Sequence, residues 1–581
     1  MATGNTERFR AARDLLLELR EDHDAAYTRF RWPRFEKFNW ALDWFDPIAL
    51  HSSRPALRIV HGETVASSTY AELSERSSQV ANWLRGRGVA RGDRVLVMLD
   101  NQLAMWEVVL AAMKLGAVVL PTYTTISATD LADRLDRGGV THVIAVDVLA
   151  DRFAGIADHL TRITVGGPVP GWAPYVDAGA ESTAFAPGGT TYADDPLFLY
   201  FTSGTTSRPK LALHTHVSYP VGHLSSMYWN GLLPGDLHLN ISAPGWAKHA
   251  WSSFFAPFNA EATLLTVETG VRSASDVLDV LVTQRATTFC APPTVWRMLV
   301  QQDLRRRPVE LREAGSVGEP LNPEVIDQVR RAWGLTVRDG YGQSETTAQI
   351  GNTPGLAVRP GSMGKPLPGY RIVLLDPLTG EPGDEGEICV DLADRPVGVM
   401  PGYLGDPEKN ARTFSGGLYH TGDVGLRDGD GYITYVGRSD DVFKSYDYRI
   451  SPFELESVLL QHGDVAEAAV VPAPDPIGLV IPKAFVTLVK GCPPSEEAAG
   501  SILRYATAHL APHQWIRRLE FGGLPKTTSG KIRRAELRAA EEQRAGRADA
   551  DPTSREYSLD EFLDSVESEP AAPGLGPAET P

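Results

Sequence analysis

Short apolar runs alternate with helical periodicity along most of the chain. Arg94–Leu99, Ala117–Leu120 and His142–Ala145 are β-rich and nearly all apolar, and the stretches between them carry the spacing of helices. Strands alternating with helical stretches in this way predict a layered α/β domain. The pattern resumes from 197 to about 345, beginning with the apolar run Leu197–Phe201. From Gly361 to Gly437 the chain becomes glycine-rich with short strands at 371–375 and 386–390, which predicts an antiparallel sheet or small barrel. Past Gly437 the pattern predicts a helix over 452–461, strands over 468–471 and 484–489, and a helix over 496–510. Residues 7 to about 30 read as one amphipathic helix. Trp32, Phe35, Phe38, Trp40, Trp44 and Phe45 then read as a packed lid over the main core.

The predicted fold is therefore α/β. Residues 1–436 form a large N-terminal domain of layered α/β subdomains plus a small β-barrel-like subdomain. Residues 437–545 form a small, mobile α+β C-terminal domain. Residues 546–581 are acidic and poor in large apolar side chains, which predicts a disordered tail. Within it Tyr557–Leu563 has the pattern of a short docking helix, but the composition favours a solvated tail.

Composition narrows the function. A net charge of -17 disfavours nonspecific binding to nucleic acid or anionic membrane, so bound anions must be met by local positive sites. The most apolar long stretch, Val108–Pro121, is interrupted by Lys114 and too short to span a bilayer. The first residues carry no basic and apolar leader pattern. Cys290, Cys389 and Cys492 are far apart in sequence and show neither metal spacing nor a disulfide framework. The expectation is a cytoplasmic enzyme, monomer or homodimer.

The candidate chemistry begins at Tyr200–Lys210, which holds five Ser/Thr hydroxyls, one glycine and two cations directly after a predicted strand. Backbone N–H groups, rotatable hydroxyls and positive charge in one loop suit a polyphosphate. The spacing is not that of a Walker A loop. Asp339-Gly340-Tyr341-Gly342-Gln343-Ser344-Glu345 lets the backbone approach a flat ligand, offers Tyr341 for stacking on a base and Glu345 as an oxygen ligand for Mg²⁺. Gly318-Glu319-Pro320 suits a base edge. Asp423, after a glycine turn, suits two ribose hydroxyls. Arg438 can reach a phosphate, and Lys531 sits on a Ser-Gly turn as a cation deliverable to a reaction centre.

In this order the segments resemble the adenylate-forming superfamily, over roughly residues 35–540. Phe38–Asp43 and Pro244–Lys248 are most similar to medium-chain and aromatic acyl-CoA synthetases. The resemblance implies ATP and Mg²⁺ as cofactors and CoA as a candidate acceptor. It implies that Ser203, Gly204, Thr205, Thr206 and Lys210 hold the β- and γ-phosphates, that Gly318, Glu319, Pro320, Asp339 and Tyr341 cradle adenine, and that Gly340, Gly342 and Gln343 belong to the cofactor site. Ser344 would touch the α-phosphate, Glu345 bind Mg²⁺, Asp423 hold the ribose and Arg438 face ribose or phosphate. Asp440 would be the hinge. Lys531, Glu345, Thr202 and Arg438 would be the catalytic residues.

The acid is expected among Trp246, His249, Trp251, Phe254, Cys290, Ala291, Ser316 and Val317, a set that suits a flat, apolar or aromatic acid. The sequence departs from the resembling synthetases beside the expected thiol tunnel. Asp447 stands where many relatives carry glycine, and Gln514 and Trp515 stand where basic residues are common. Arg517, Arg518, Arg533 and Arg534 remain to meet CoA phosphates. The first expectation is activation of a small carboxylate followed by thioester formation with CoA. The alternatives are an ATP-dependent diazotase that activates nitrite for an aryl amine, a ligase that loads a carrier protein, and a catalytically inactive nucleotide sensor.

Overall fold

The computed structural model describes residues 4–202, 209–268, 273–376, 379–445, 448–475, 479–526, 532–545 and 556–563. The chain divides into two compact units, residues 1–421 with 426–435, and residues 422–425 with 436–581.

The first unit contains two sheets. One has eight strands in the order Gly402–Tyr403, Lys210–Thr215, Pro196–Thr202, Val118–Pro121, Arg94–Met98, His142–Val146, Thr161–Val165, Ala173–Pro174. From Pro196–Thr202 onward the neighbours are parallel. Pro196–Thr202 and Lys210–Thr215 pair antiparallel, with Thr202 opposite Lys210. Val95 to Met98 are all buried, as is nearly every side chain of the following helix Leu103–Leu115. That two-sided burial is why these segments show no polar alternation in the sequence.

The other sheet has fourteen strands. Its parallel part comprises Pro55–His61, Thr263–Val267, Leu237–Asn240, Thr288–Ala291, Glu313–Val317 and Val337–Gly342. Beyond Val337–Gly342 the pairing turns antiparallel through Ala348–Gly351 and Ser362–Pro366. The region expected to be barrel-like is this antiparallel extension. Its strands Glu385–Asp391, Ile372–Leu375 and Pro382–Gly383 continue the long sheet instead of standing apart from it.

Two features at the N-terminus differ from expectation. The single helix is two, Gly4–Glu18 and His23–Arg29, because the Asp22 carboxylate accepts from Ala25 N at 3.0 Å and starts a new helix. The aromatic segment is core, not lid. Trp40 and Trp44 are fully buried and donate their indole N–H groups to Asn259 Oδ1 (2.9 Å) and Phe258 O (3.1 Å). Such buried donors need those acceptors.

The second unit carries the sheet Val465–Asp475, Leu479–Leu488, Arg518–Phe521, Glu556–Ser558 with helices Pro452–Leu459, Glu496–His509 and Arg534–Ala545. Its last strand corrects the expected tail. Glu556–Ser558 pairs antiparallel with Arg518–Glu520, and Tyr557, Leu559 and Phe562 are buried in this unit's core. Residues 546–555 and 564–581 lie outside the described residues.

Charge also holds that strand. The Lys483 side chain is completely buried, and its ammonium meets Glu520 (2.9 Å), Glu541 (2.8 Å) and Glu556. Lys483→Ala would leave these carboxylates without their shared cation. Breaking a buried pair from one side costs about 3–5 kcal/mol, and the lower figure applies because Arg544 still pairs with Glu520 and Glu541. Urea unfolding of this variant should show a C-terminal transition destabilised by about 3 kcal/mol. An unchanged midpoint would show that the cluster does not hold the strand.

Candidate active site

Glu345 lies just beyond the strand Val337–Gly342, in the loop that ends the parallel part of the long sheet. One of its carboxylate oxygens accepts the Thr202 hydroxyl at 3.1 Å and the Tyr403 hydroxyl at 2.9 Å. Its backbone oxygen accepts from Met400 N at 2.9 Å. Thr202 ends one strand of the eight-stranded sheet, and Tyr403 belongs to that sheet's edge strand. Lys210, opposite Thr202 in register, places its ammonium 5.6 Å from the centre of the Tyr403 ring. Carboxylate, hydroxyl and phenol oxygens form an all-oxygen donor set. That chemistry fits a hard cation such as Mg²⁺, and a lysine beside it fits a phosphate. Ser203, Gly204, Thr205 and Thr206 lie outside the described residues.

The loop that carries Ser344 is fixed from below. The Ser344 carbonyl accepts from His214 Nε2 at 2.8 Å and from the Tyr219 hydroxyl at 3.0 Å. Burial pushes the His214 imidazole down to about 3, so the ring is neutral at ordinary pH. Because a carbonyl only accepts, Nε2 bears the proton and Nδ1 accepts from Ser218 Oγ at 3.0 Å. Gln343 is held on both sides, donating to Thr421 O (2.9 Å) and accepting from the Tyr419 hydroxyl (2.7 Å).

Asp339, Gly340, Tyr341 and Gly342 occupy the strand itself. The glycines are required by contact. A Cβ on Gly340 would fall 2.3 Å from the Trp229 ring, and one on Gly342 2.4 Å from the Trp251 ring. The Asp339 carboxylate is spent on the backbone, accepting from Leu321 N (3.2 Å) and Gly340 N (3.0 Å). It thereby ties the Gly318-Glu319-Pro320 loop to the neighbouring strand. Burial pushes its carboxyl up to about 7, against those two hydrogen bonds, which favour the ionised form. Glu319 pairs with Arg297 at 3.5 Å.

An apolar cavity lies beneath the Pro244–Ala250 segment. Trp246, His249 and Phe254 line it, together with Met105, Val109 and Tyr200. Trp246 stacks flat on Tyr123, with ring centres 4.6 Å apart. His249 is buried, its ring pushed down to about 3 by burial, and its Nε2 donates to Asn101 Oδ1 at 3.1 Å. The other expected pocket residues do not line this cavity. Trp251 turns toward Gly342 and donates to the Tyr219 hydroxyl at 3.3 Å. Cys290 faces Ser252 at 3.8 Å. Ser316 and Ala291 point to the opposite sheet face from Cys290 and Val317, because adjacent strand residues alternate. All four, Ala291 to Val317 included, are buried.

This arrangement coincides with what the chain is similar to. The AMP-binding enzyme family matches residues 47–404, and the AMP-binding enzyme C-terminal domain matches 454–531. The chain belongs to the AMP-binding enzyme family. It is 42% identical over 520 residues to 4-hydroxybutyrate–CoA ligase 1 of Metallosphaera sedula, covering 87% of this chain and 91% of that protein. It is 37% identical over 528 residues to the mitochondrial acyl-coenzyme A synthetase ACSM3 of Mus musculus, again over 87% and 91%. Among solved structures it resembles the anthranilate CoA ligase AuaEII in complex with anthranoyl-AMP, with a TM-score of 0.80, 28% identity, and coverage of 88% of this chain and 98% of that one.

The second unit of this AMP-binding enzyme holds the remaining expected residues. Arg438 donates to Asp423 Oδ1 (3.2 Å) and to Asp440 Oδ1 (3.3 Å), so the expected ribose, phosphate and hinge residues form one ionic cluster. Arg538 adds a bond to the Asp440 carbonyl at 2.6 Å. Lys531 and Asp447 lie outside the described residues. Of the arginines expected near CoA, Arg534 is engaged with buried Glu456, Arg533 with Glu536, and Arg518 with Asp475 and Glu556. Arg517 stacks on the Trp515 ring at 5.5 Å. The sequence reading missed Tyr403, His214, Tyr219 and Tyr123. None belongs to a local motif, and only tertiary packing brings them to the site.

Asp339 gives a test with a defined sign. Its folded value is raised above the ordinary 3.8, so its favourable contribution is complete below that pH and is lost as pH rises through about 7. The stability advantage of wild type over Asp339→Asn, measured by denaturant titration, should therefore shrink between these limits. The asparagine also sets an amide N–H against one backbone N–H, at about 1–3 kcal/mol, which should raise KM for ATP roughly tenfold or more. A pH-independent stability difference with unchanged KM would contradict the positioning of this carboxylate.

Proposed function

We propose that this protein activates a small carboxylic acid as its acyl-adenylate and transfers the acyl group to CoA. The observation that carries this reading is the convergence of Thr202, Lys210, Tyr403 and Glu345 at the end of the strand whose Tyr200 lines an apolar cavity with Trp246, His249 and Phe254. The named activities of its relatives, CoA ligases for 4-hydroxybutyrate and anthranilate, support the same chemistry.

A carboxylate is already nucleophilic at neutral pH, so the task is to bring two anions together. The acid's oxygen attacks the α-phosphorus of ATP, the bond to the bridging oxygen breaks, and pyrophosphate leaves. Glu345 would hold a magnesium ion, which would supply charge neutralisation to the phosphates. Thr202 and Tyr403 fix the Glu345 carboxylate so that it does not reorganise during the reaction. Lys210, beside Tyr403, offers a cation that a phosphate would need. Asp339 and the His214–Tyr219 pair hold the backbone around the nucleotide, and Asp423 with Arg438 are assigned to ribose and phosphate. Lys531, the last residue matched by the C-terminal family domain, is assigned as the adenylation lysine. In the second step the CoA thiol sulfur attacks the acyl carbonyl and AMP leaves with the bonding pair.

The apolar walls suit the hydrocarbon body of a short-chain, medium-chain or aromatic acid and contribute nothing to holding nitrite. His249, neutral and fixed by Asn101, adds no charge to that cavity.

A screen of pyrophosphate and AMP release over aliphatic acids, aryl acids and nitrite with an aryl amine, each with and without CoA, tests the assignment. Acid-dependent adenylation with CoA-dependent turnover is expected, and turnover only with nitrite and amine would overturn it. Lys531→Ala should lower acid-dependent pyrophosphate exchange at least ~100-fold while ATP binding persists. Near-normal exchange would refute the role given to this lysine.

A further inference from the structure

The neighbouring strands Glu385–Asp391 and Leu418–Arg427, the second of which holds Gln343 through Tyr419 and Thr421, bring three different donor types together. Glu387 and Cys389 are two residues apart on one strand and so share a face. His420 reaches them from the next strand. Its Nδ1 lies 3.5 Å from Cys389 Sγ and 2.9 Å from Glu387 Oε2. All three donor atoms fall within 4.8 Å of one another. The other ring nitrogen, Nε2, is 3.0 Å from the Ser415 hydroxyl.

These separations suit a small tetrahedral ion. Zinc takes sulfur at about 2.3 Å and nitrogen at about 2.0 Å, which sets sulfur and nitrogen about 3.5 Å apart around a tetrahedron. The Cys389–His420 pair already has that spacing. The His420–Glu387 contact must open by roughly 0.4 Å, since nitrogen and oxygen ligands at these bond lengths stand about 3.3 Å apart. Both side chains are about one-fifth exposed, so they have room to move and solvent can reach a fourth position. The Ser415 hydroxyl plays the part of the outer partner that fixes a ligating imidazole. Thiolate, imidazole and carboxylate together select a borderline-soft divalent ion over Mg²⁺.

We propose that Glu387, Cys389 and His420 bind one thiophilic divalent cation of the zinc class, with solvent in the fourth position. The ion clamps two neighbouring strands, and its ligands are a different set from Glu345. Of the three ligands, Cys389 is the discriminating one, because a purely hydrogen-bonded Glu–His–Cys cluster would give no metal–thiolate bond.

The test uses the full chain, stripped with a chelator and titrated with Co²⁺ in the absence of nucleotide. Expected is one equivalent bound with a near-ultraviolet thiolate-to-cobalt charge-transfer band, displaced by Zn²⁺. Cys389→Ala should abolish the band and weaken Zn²⁺ binding at least about tenfold. Should that variant fail to fold, His420→Gln, at a half-buried position, should give the same loss. Absence of the band in wild type would overturn the proposal. So would a band that survives Cys389→Ala and disappears with Cys492→Ser, since Cys492 is the partly exposed thiol. A rise in thermal midpoint with one equivalent of Zn²⁺, lost in Cys389→Ala, would confirm the strand clamp.

Discussion

The Glu345 carboxylate is the point at which two separately paired sheets must converge. It follows the last parallel strand of the fourteen-stranded sheet, yet its hydrogen-bond donors, Thr202 and Tyr403, belong to the eight-stranded one. These donors are 143 and 58 residues away in sequence. The geometry therefore exists only once both sheets have formed and packed. An oxygen cluster fixed in this way before substrate arrives avoids reorganisation when charge shifts on a phosphate.

The ground beneath the site is polar, with neutral histidines and an Asp339 carboxyl raised to about 7. Burial keeps His214 and His249 neutral, each pushed down to about 3. His214 and Tyr219 hold the Ser344 carbonyl, and the Asp339 carboxylate holds two backbone N–H groups. Neutral support matters in a chain with a net charge of -17. Fixed dipoles and a carboxyl held near half-ionisation orient the loops with little added anionic repulsion to a polyphosphate, and a low local dielectric strengthens the few charges that remain.

Much of this was legible in the sequence because it is local. The runs at 94–99, 117–120 and 142–145 became parallel strands almost to the residue, since two-sided burial leaves an unbroken apolar signature. The glycines of the Asp339–Gly342 strand were legible as sites of close approach, although the approaching groups are Trp229 and Trp251. What depended on tertiary packing was not legible. Tyr403 stands in no motif. Trp251, Cys290, Ser316 and Val317 were grouped with Trp246 as aromatic and small residues, but only Trp246, His249 and Phe254 of that set line the apolar cavity, and strand alternation turns Ser316 to the opposite sheet face from Cys290 and Val317. The Glu556–Ser558 strand was hidden in acidic composition because its favourable contacts are cations, Lys483 and Arg518, that sequence alone does not bring near. The same holds for Cys389 and His420, thirty-one residues apart and adjacent only through strand pairing.

The magnesium dependence of pyrophosphate exchange in Glu345→Gln tests the central claim most directly. The glutamine keeps the acceptor oxygen for Thr202 and Tyr403 but removes the anionic ligand. The account predicts that the half-saturating magnesium concentration rises at least about tenfold relative to wild type. An unchanged magnesium requirement would mean that the cation is held elsewhere and that the convergence at Glu345 is only structural.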